Sequence, residues 1–194
     1  MGREKYLRQI EEFFRKSSIV SFDSIERIVH DKNKVKGYAK QIVRNLLLSG
    51  KIKKLTKGYY TIHDEITLIV FCFKPSYLGL QDAMSMHGIW EQETVPIVLT
   101  TRKVRTGIRK VMGLNVLIRR IDRKYFFGFD YYKSGNFYFP YSDIEKTFID
   151  MVYFKQYMDK EVLRVFKRKI DRRKLESYLK AYPKKFKNKV MGYF

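Results

Sequence analysis

The stretch GKIKKLTKGYYTI, residues 50–62, narrows the choice of fold more than any other. Its side chains alternate on either side of Thr56-Lys57-Gly58, the pattern of a small β-hairpin, and Gly58 suits the tight turn. It directly follows a helical pattern that stops at Ser49-Gly50. Four lysines, Lys51, Lys53, Lys54 and Lys57, fall within the hairpin. A lysine-laden hairpin placed straight after a helix needs a reason.

The preceding residues supply one. Tyr6, Leu7, Ile10, Phe13 and Phe14 recur at helical spacing and predict a helix over residues 3–16. A short extended piece, residues 19–22, follows. Asp23 and Glu26 form a capping-box pattern that opens a second helix, which the polar run Asp31-Lys32-Asn33-Lys34 ends. A third helix is expected over residues 35–48. Val35, Tyr38, Ala39, Ile42, Val43 and Leu46 share one side of it. Gly37, Lys40, Gln41 and Arg44 fall on the other.

Helix, short strand, helix, helix and hairpin is the order of a winged helix-turn-helix, here over residues 1–63. In that arrangement the third helix enters the major groove of duplex DNA and the hairpin lies on phosphates. The expected DNA contacts are Lys34, Lys36, Gly37, Lys40, Gln41 and Arg44 from the helix, with Lys51, Lys53, Lys54 and Lys57 from the wing. Lys40, Gln41 and Arg44 are the candidates for base edges, since Arg and Lys suit guanine and Gln suits adenine. The competing reading is a solvated lysine-rich surface on a winged domain that binds protein.

Charge agrees with a polyanionic partner. The 194 residues hold 41 Lys+Arg against 20 Asp+Glu, a net charge of +21. Residues 1–62 carry 15 basic and 6 acidic side chains, residues 63–154 carry 12 and 10, and residues 155–194 carry 14 and 4. The two ends are basic and the middle is nearly neutral. Cys72 is the single cysteine, so neither a disulfide framework nor a thiolate metal site is expected. The longest apolar run, Ile66 to Phe73, is far short of a membrane span, and the N-terminus has no apolar signal core. Cytoplasm is the expected address.

Residues 64–194 read as a second, α/β domain, making the whole α+β. Residues 65–73 fit either helix or buried strand. A helix is expected near Leu80–His87, ended by Gly88, and a strand over residues 97–101. Two further strands, 105–111 and 116–121, flank Gly113-Leu114-Asn115. The aromatic segment 126–141 reads as a hairpin turning at Ser134-Gly135-Asn136, with Tyr125-Phe126-Phe127 and Phe137-Tyr138-Phe139 filling the core. Ser142 with Glu145 is a second capping box, opening a helix over 143–154. Basic helices over 159–169 and 172–181 follow, before Pro183 breaks the pattern. Their Lys167, Arg168, Lys169, Arg172, Arg173 and Lys174 have three readings. They extend the DNA footprint, meet an acidic protein, or form a solvated face.

Catalysis is not expected, nor any cofactor or metal. His30, His63 and His87 have no ligand-like spacing, and no Gly-rich phosphate loop occurs. A nuclease Glu-x-Lys would need a residue between Glu145 and Lys146, which are adjacent. Glu145 reads as a capping carboxylate instead.

Three stretches together resemble the AbiEi family, the antitoxins of type IV abortive-infection toxin–antitoxin pairs. They are the GKIKKLTKGYYTI hairpin, PSYLGLQDAMSMHGI at 75–89, and YSDIEKTFIDMVYF at 141–154 with Glu145, Lys146 and Asp150 in the family's Glu-Lys-x-x-x-Asp pattern. The likeness runs through nearly the whole chain in order. It implies a winged domain that represses its own operon and a second domain that opposes a nucleotidyltransferase-like toxin. The lysine-rich tail departs from the pattern, which keeps an orphan regulator or a protein-interaction module without a toxin as the alternative. A palindromic operator would bring two protomers together, although no stretch marks a dimer interface.

Overall fold

The computed structural model describes residues 2–29 and 37–194, and the architecture is mixed α+β. Lys34 and Lys36, with Val35, His30 and the polar break at 31–34, lie outside the described residues. The chain divides into two compact units, residues 1–72 with 110–114, and residues 73–109 with 115–194. The change of sequence texture at residues 63–64 falls ahead of that division.

The first unit contains α1 (Gly2–Lys16), β1 (Val20–Ser21), α2 (Phe22–Val29), α3 (Tyr38–Leu48), β2 (Lys53–Thr56) and β3 (Tyr59–Thr61). Its core gathers Ile10 and Phe14 of α1, Ile25 and Val29 of α2, the Ala39, Ile42, Val43 and Leu46 stripe of α3, and Ile52 and Tyr60. The three strands form one antiparallel sheet, with β3 central; Val20 faces Tyr60 from one side and Lys54 faces it from the other. Lys57-Gly58 makes the turn, Gly58 at φ 79°, and the ladder bulges between Lys54 and Thr56.

Two helix starts differ from the sequence reading. Helix α2 opens at Phe22, because the Ser21 hydroxyl accepts from the Ser24 amide (3.1 Å) and takes the capping role assigned to Asp23. Asp23 then sits in the first turn, where the helix dipole favours a carboxylate. Helix α3 opens at Tyr38, with Gly37 before it at φ 105°. A side chain would be strained there, so Gly37, which is exposed, shapes the helix entry.

The second unit contains most of a six-stranded mixed sheet in the order β6-β7-β5-β4-β9-β8, of which residues 110–114 are grouped with the first unit. Its strands are β4 (Ser76–Leu78), β5 (Ile97–Thr100), β6 (Gly107–Val111), β7 (Leu114–Arg120), β8 (Phe129–Ser134) and β9 (Phe137–Ser142). Every residue of β5 is buried, as its unbroken Ile-Val-Leu-Thr requires. β5 runs parallel to β7 with Thr100 beside Arg120, and antiparallel to β4. The β6–β7 turn is Met112-Gly113, both at positive φ, so Leu114 and Asn115 already belong to β7. The run Ile66–Phe73 is neither α-helix nor strand but a 3₁₀ helix, opened by the Glu65 carboxylate accepting from the Thr67 amide (2.9 Å).

The helices are α4 (Gln81–Met86), α5 (Ile144–Tyr153), α6 (Lys160–Lys169), α7 (Arg172–Leu179) and α8 (Lys184–Met191). Asp143, not Ser142, caps α5, accepting from the Lys146 amide at 2.8 Å; the Ser142 hydroxyl bonds Thr147 instead. Pro183 does not end the helical pattern but opens a further helix, α8. It sits at the cap position, where a missing N–H costs nothing, and its carbonyl accepts from the Lys187 amide (3.0 Å). Residues 145–152 of α5 are all buried, and Phe148 meets Phe166, Tyr193 and Phe194 ring to ring.

Candidate nucleic-acid interface

Helix α3 buries its apolar stripe and leaves Lys40, Gln41 and Arg44 exposed, one turn apart on one side. The hairpin is tied to the end of that helix: the Ile52 amide donates to the Leu46 carbonyl (3.3 Å), and Leu46 also receives the Ser49 hydroxyl. A shallow groove beside the helix is lined by Phe22, Lys40, Arg44, Leu47, Leu48 and Tyr60. The basic side of α3 and strand β3 therefore border the same depression.

The four hairpin lysines do not share one state. Lys51 is bonded to the Glu11 carboxylate at 2.8 Å, and Lys53 pairs with Asp64. Lys54 and Lys57 are exposed and, among the described residues, face no carboxylate. The same holds for Lys40 and Arg44. Four cations with no carboxylate partner among the described residues thus sit on one helix and one adjoining hairpin.

The C-terminal cations divide in the same way. Lys169 donates to the carbonyls of His87 (2.6 Å) and Gly88 (3.3 Å), closing the C-terminal end of α4. Arg172 lies over the Phe194 ring at 5.8 Å. Lys174 bridges Asp143 and Glu145, 3.1 Å from each. Burial disfavours its charge, but the Glu145 and Asp143 carboxylates more than offset that and raise its pKa above the ordinary lysine value. Lys167, Arg168 and Arg173 are exposed.

Glu145 has a structural task, accepting from the Asp171 amide at 2.9 Å as well as from Lys174. On the same helix, Lys146 and Asp150, one turn apart, form an ion pair with both side chains fully buried. The Tyr77 hydroxyl donates to the other Asp150 oxygen at 2.8 Å. The ammonium lies 5.5 Å from the centres of both the Tyr77 and Phe127 rings. Burial pushes the carboxyl up and the ammonium down, while each partner pulls the other back. This triad was legible only as an i, i+4 charge spacing; its burial was not. His87 also has a packing role, its Nε2 2.7 Å from the Ser142 carbonyl and its ring edge-on to Tyr132. Burial pushes the Cys72 thiol up to about 12.

The aromatic hairpin is not all core. Phe139 is 1% exposed, but Tyr138 and Tyr131 are 59% and 55% exposed, because strand alternation turns them to the open face. Among the described residues no three His, Cys, Asp or Glu side chains converge as a metal-holding group. No described helix is long and apolar enough to cross a membrane.

No protein-family model and no curated protein matches the sequence. Among solved structures, the chain is similar to the crystal structure of the RV2827C protein from Mycobacterium tuberculosis, with a TM-score of 0.61 and 10% identity. The match covers 97% of this chain and 76% of that one. At so low an identity the likeness speaks to fold alone, and the fold it supports is a mixed α+β chain.

Proposed function

We propose that the chain is a sequence-specific DNA-binding transcriptional regulator whose first unit is a winged helix-turn-helix. Helix α3 is its recognition helix, and the β2–β3 hairpin is its wing. One observation carries the reading: Lys40, Gln41 and Arg44 share an exposed helix side, with Lys54 and Lys57 on the hairpin joined to it, and none of these cations faces a carboxylate among the described residues. Surface cations that only confer solubility have no reason to gather on these two elements. Arg44 and Gln41 would read base edges, while Lys54 and Lys57 would hold phosphates. Following the AbiEi resemblance, the regulator is an autorepressing type IV antitoxin whose second unit opposes a nucleotidyltransferase-like toxin.

Selection from a random duplex library by the full chain at about 0.15 M salt tests the DNA reading, since salt sets non-specific affinity. A single enriched motif is expected. On that motif Arg44→Ala should cost about 1–3 kcal/mol at one base position and leave the others unchanged. No enriched motif, or an Arg44→Ala loss equal at every position, overturns it. The antitoxin role is tested separately, by relief of toxin growth arrest on co-expression.

A specific feature favours a second reading, a protein-docking module. Phe22, Leu47, Leu48 and Tyr60 give the groove beside α3 an apolar floor, and Leu48 is 76% exposed. Leu48→Ser should leave the motif and its affinity intact if DNA is the ligand of this side.

A further inference from the structure

The neutral balance of the middle of the sequence conceals a local concentration of charge. Residues 102–124 hold six Arg and three Lys against one acid, Asp122, whereas the rest of the sequence has nine Arg and 23 Lys. The enrichment is therefore in arginine specifically. A surface that needed only solubility would follow the lysine usage of the rest of the chain.

The sheet topology brings these side chains together. β5 and β7 are parallel neighbours, with Thr100 beside Arg120 and the Ile121 amide donating to the Thr100 carbonyl at 3.0 Å. The chain segments leaving both strands therefore emerge at the same end of the sheet. One carries Lys103 and Arg105, and the other carries Arg123. β6 neighbours β7 through the two-residue turn at Met112-Gly113, so its first residue, Gly107, lies at that same end and brings Arg105 in from the other side. Lys103, Arg105, Arg120 and Arg123 are all exposed, and none faces a carboxylate among the described residues. Asp122 is already engaged, accepting from the Lys124 amide (3.2 Å), with the Lys124 ammonium 3.8 Å away. All of these groups belong to the second unit, which carries 25 basic and 12 acidic residues.

We infer that this end of the sheet is a second nucleic-acid surface, one that binds the phosphodiester backbone without reading sequence. Guanidinium groups present a rigid fork that fits phosphate oxygens two at a time. A protein partner would need an apolar centre from which charge is depleted. Here Val104 is half-buried, and the exposed positions between the cations are Thr106 and Asp122; Ile108 is exposed further along β6. A nearly unbroken set of cations suits a uniformly charged polymer, and nucleic-acid interfaces are polar and strongly positive in this way. The surface goes beyond the proposed operator reading and shares only its premise that the chain binds nucleic acid.

The test uses the full chain and a duplex of about 20 base pairs of mixed sequence, titrated from 0.05 to 0.2 M salt, where each lost phosphate contact lowers the log–log slope by about 0.9. The variant Lys103→Gln/Arg105→Gln/Arg120→Gln/Arg123→Gln should lower the slope by about 3–4, so its affinity loss across that range is about 100-fold smaller than the wild type's. Its preference for any selected motif should stay. The matching Lys40→Gln/Arg44→Gln/Lys54→Gln/Lys57→Gln variant should abolish that preference, which separates the two surfaces. Unfolding midpoints verify folding, and the pair Arg105→Gln/Arg120→Gln, expected to give about half the slope change, serves if the quadruple variant is unstable. An unchanged slope in a folded variant overturns the inference and leaves the α3 reading standing. If the same variant loses polyglutamate binding while its slope on the duplex is unchanged, the surface serves an acidic protein instead. A wild-type chain with no affinity for the duplex overturns both readings.

Discussion

Helix α3 with its hairpin, and helix α5 with the elements packed on it, handle charge in opposite ways. Around α3, Lys40, Arg44, Lys54 and Lys57 stand in water with no carboxylate opposite among the described residues. Around α5, Lys146 is sealed against Asp150 and Tyr77, and Lys174 is clamped by Asp143 and Glu145. A buried charge is tolerated only where a partner compensates its lost hydration, so it is committed to the fold. An exposed, unneutralised cluster contributes nothing comparable to folding and remains available to an outside partner. The contrast explains why net charge alone is a poor guide to function in this chain. Lysine serves both purposes, and only its surroundings tell them apart.

The largest effect should come from breaking the buried pair. Asp150→Ala leaves the Lys146 ammonium without its counter-ion and should cost about 3–5 kcal/mol in denaturant unfolding, whereas Lys146→Met/Asp150→Leu together should recover most of that. If the single variant were nearly neutral, α5 would not depend on its charges as described.

Alkali should act next, and on the same side of the comparison. Burial pushes the Tyr178 hydroxyl up to about 12, helped by its hydrogen bond to Asp143, and pushes the Cys72 thiol from 9.0 to about 12. Burial also raises Tyr77 and Tyr182. The folded chain holds these protons after the unfolded chain has released them. Their stabilisation is therefore complete below about pH 9 and is lost as pH rises towards 12. Unfolding free energies at pH 8 and 11 should show the fall; a flat profile would contradict the burial of these groups.

The smallest effect sharpens the exposed side. Lys54→Ala and Lys57→Ala should each reduce the salt slope for duplex DNA by about 1, since those ammoniums are uncommitted. Lys53→Ala should reduce it by less, because Lys53 is shared with Asp64. Asp64→Asn should then strengthen binding slightly by releasing Lys53. Equal slopes for Lys53→Ala and Lys54→Ala would mean that the Asp64 pair yields to DNA at no cost.

Most elements of the fold were legible, because hydrophobic period is a local property. The α3 stripe, the Lys57-Gly58 turn and the strand at Ile97 could be read from a dozen residues at a time. Helix starts were less so. Ser21 and Asp143 each compete with a neighbour that also has a capping side chain, and the choice rests on which oxygen the backbone brings to the free amides. Helix α8 is not legible locally, because proline ends one helix as readily as it begins another.

The sequence by itself determined that the chain is α+β, that it is strongly basic, and that a lysine-bearing hairpin follows a helix with a basic side. Periodicity and composition require nothing from distant residues. Only the tertiary structure decided which cations are available. Glu11 reaches Lys51 across 40 positions, Glu145 reaches the start of α7 across 26, and the parallel pairing of β5 with β7 draws the arginines of two separate segments to one end of a sheet. Neutralisation and clustering of charge depend on distance in space, and in this chain the deciding partners are far apart in sequence.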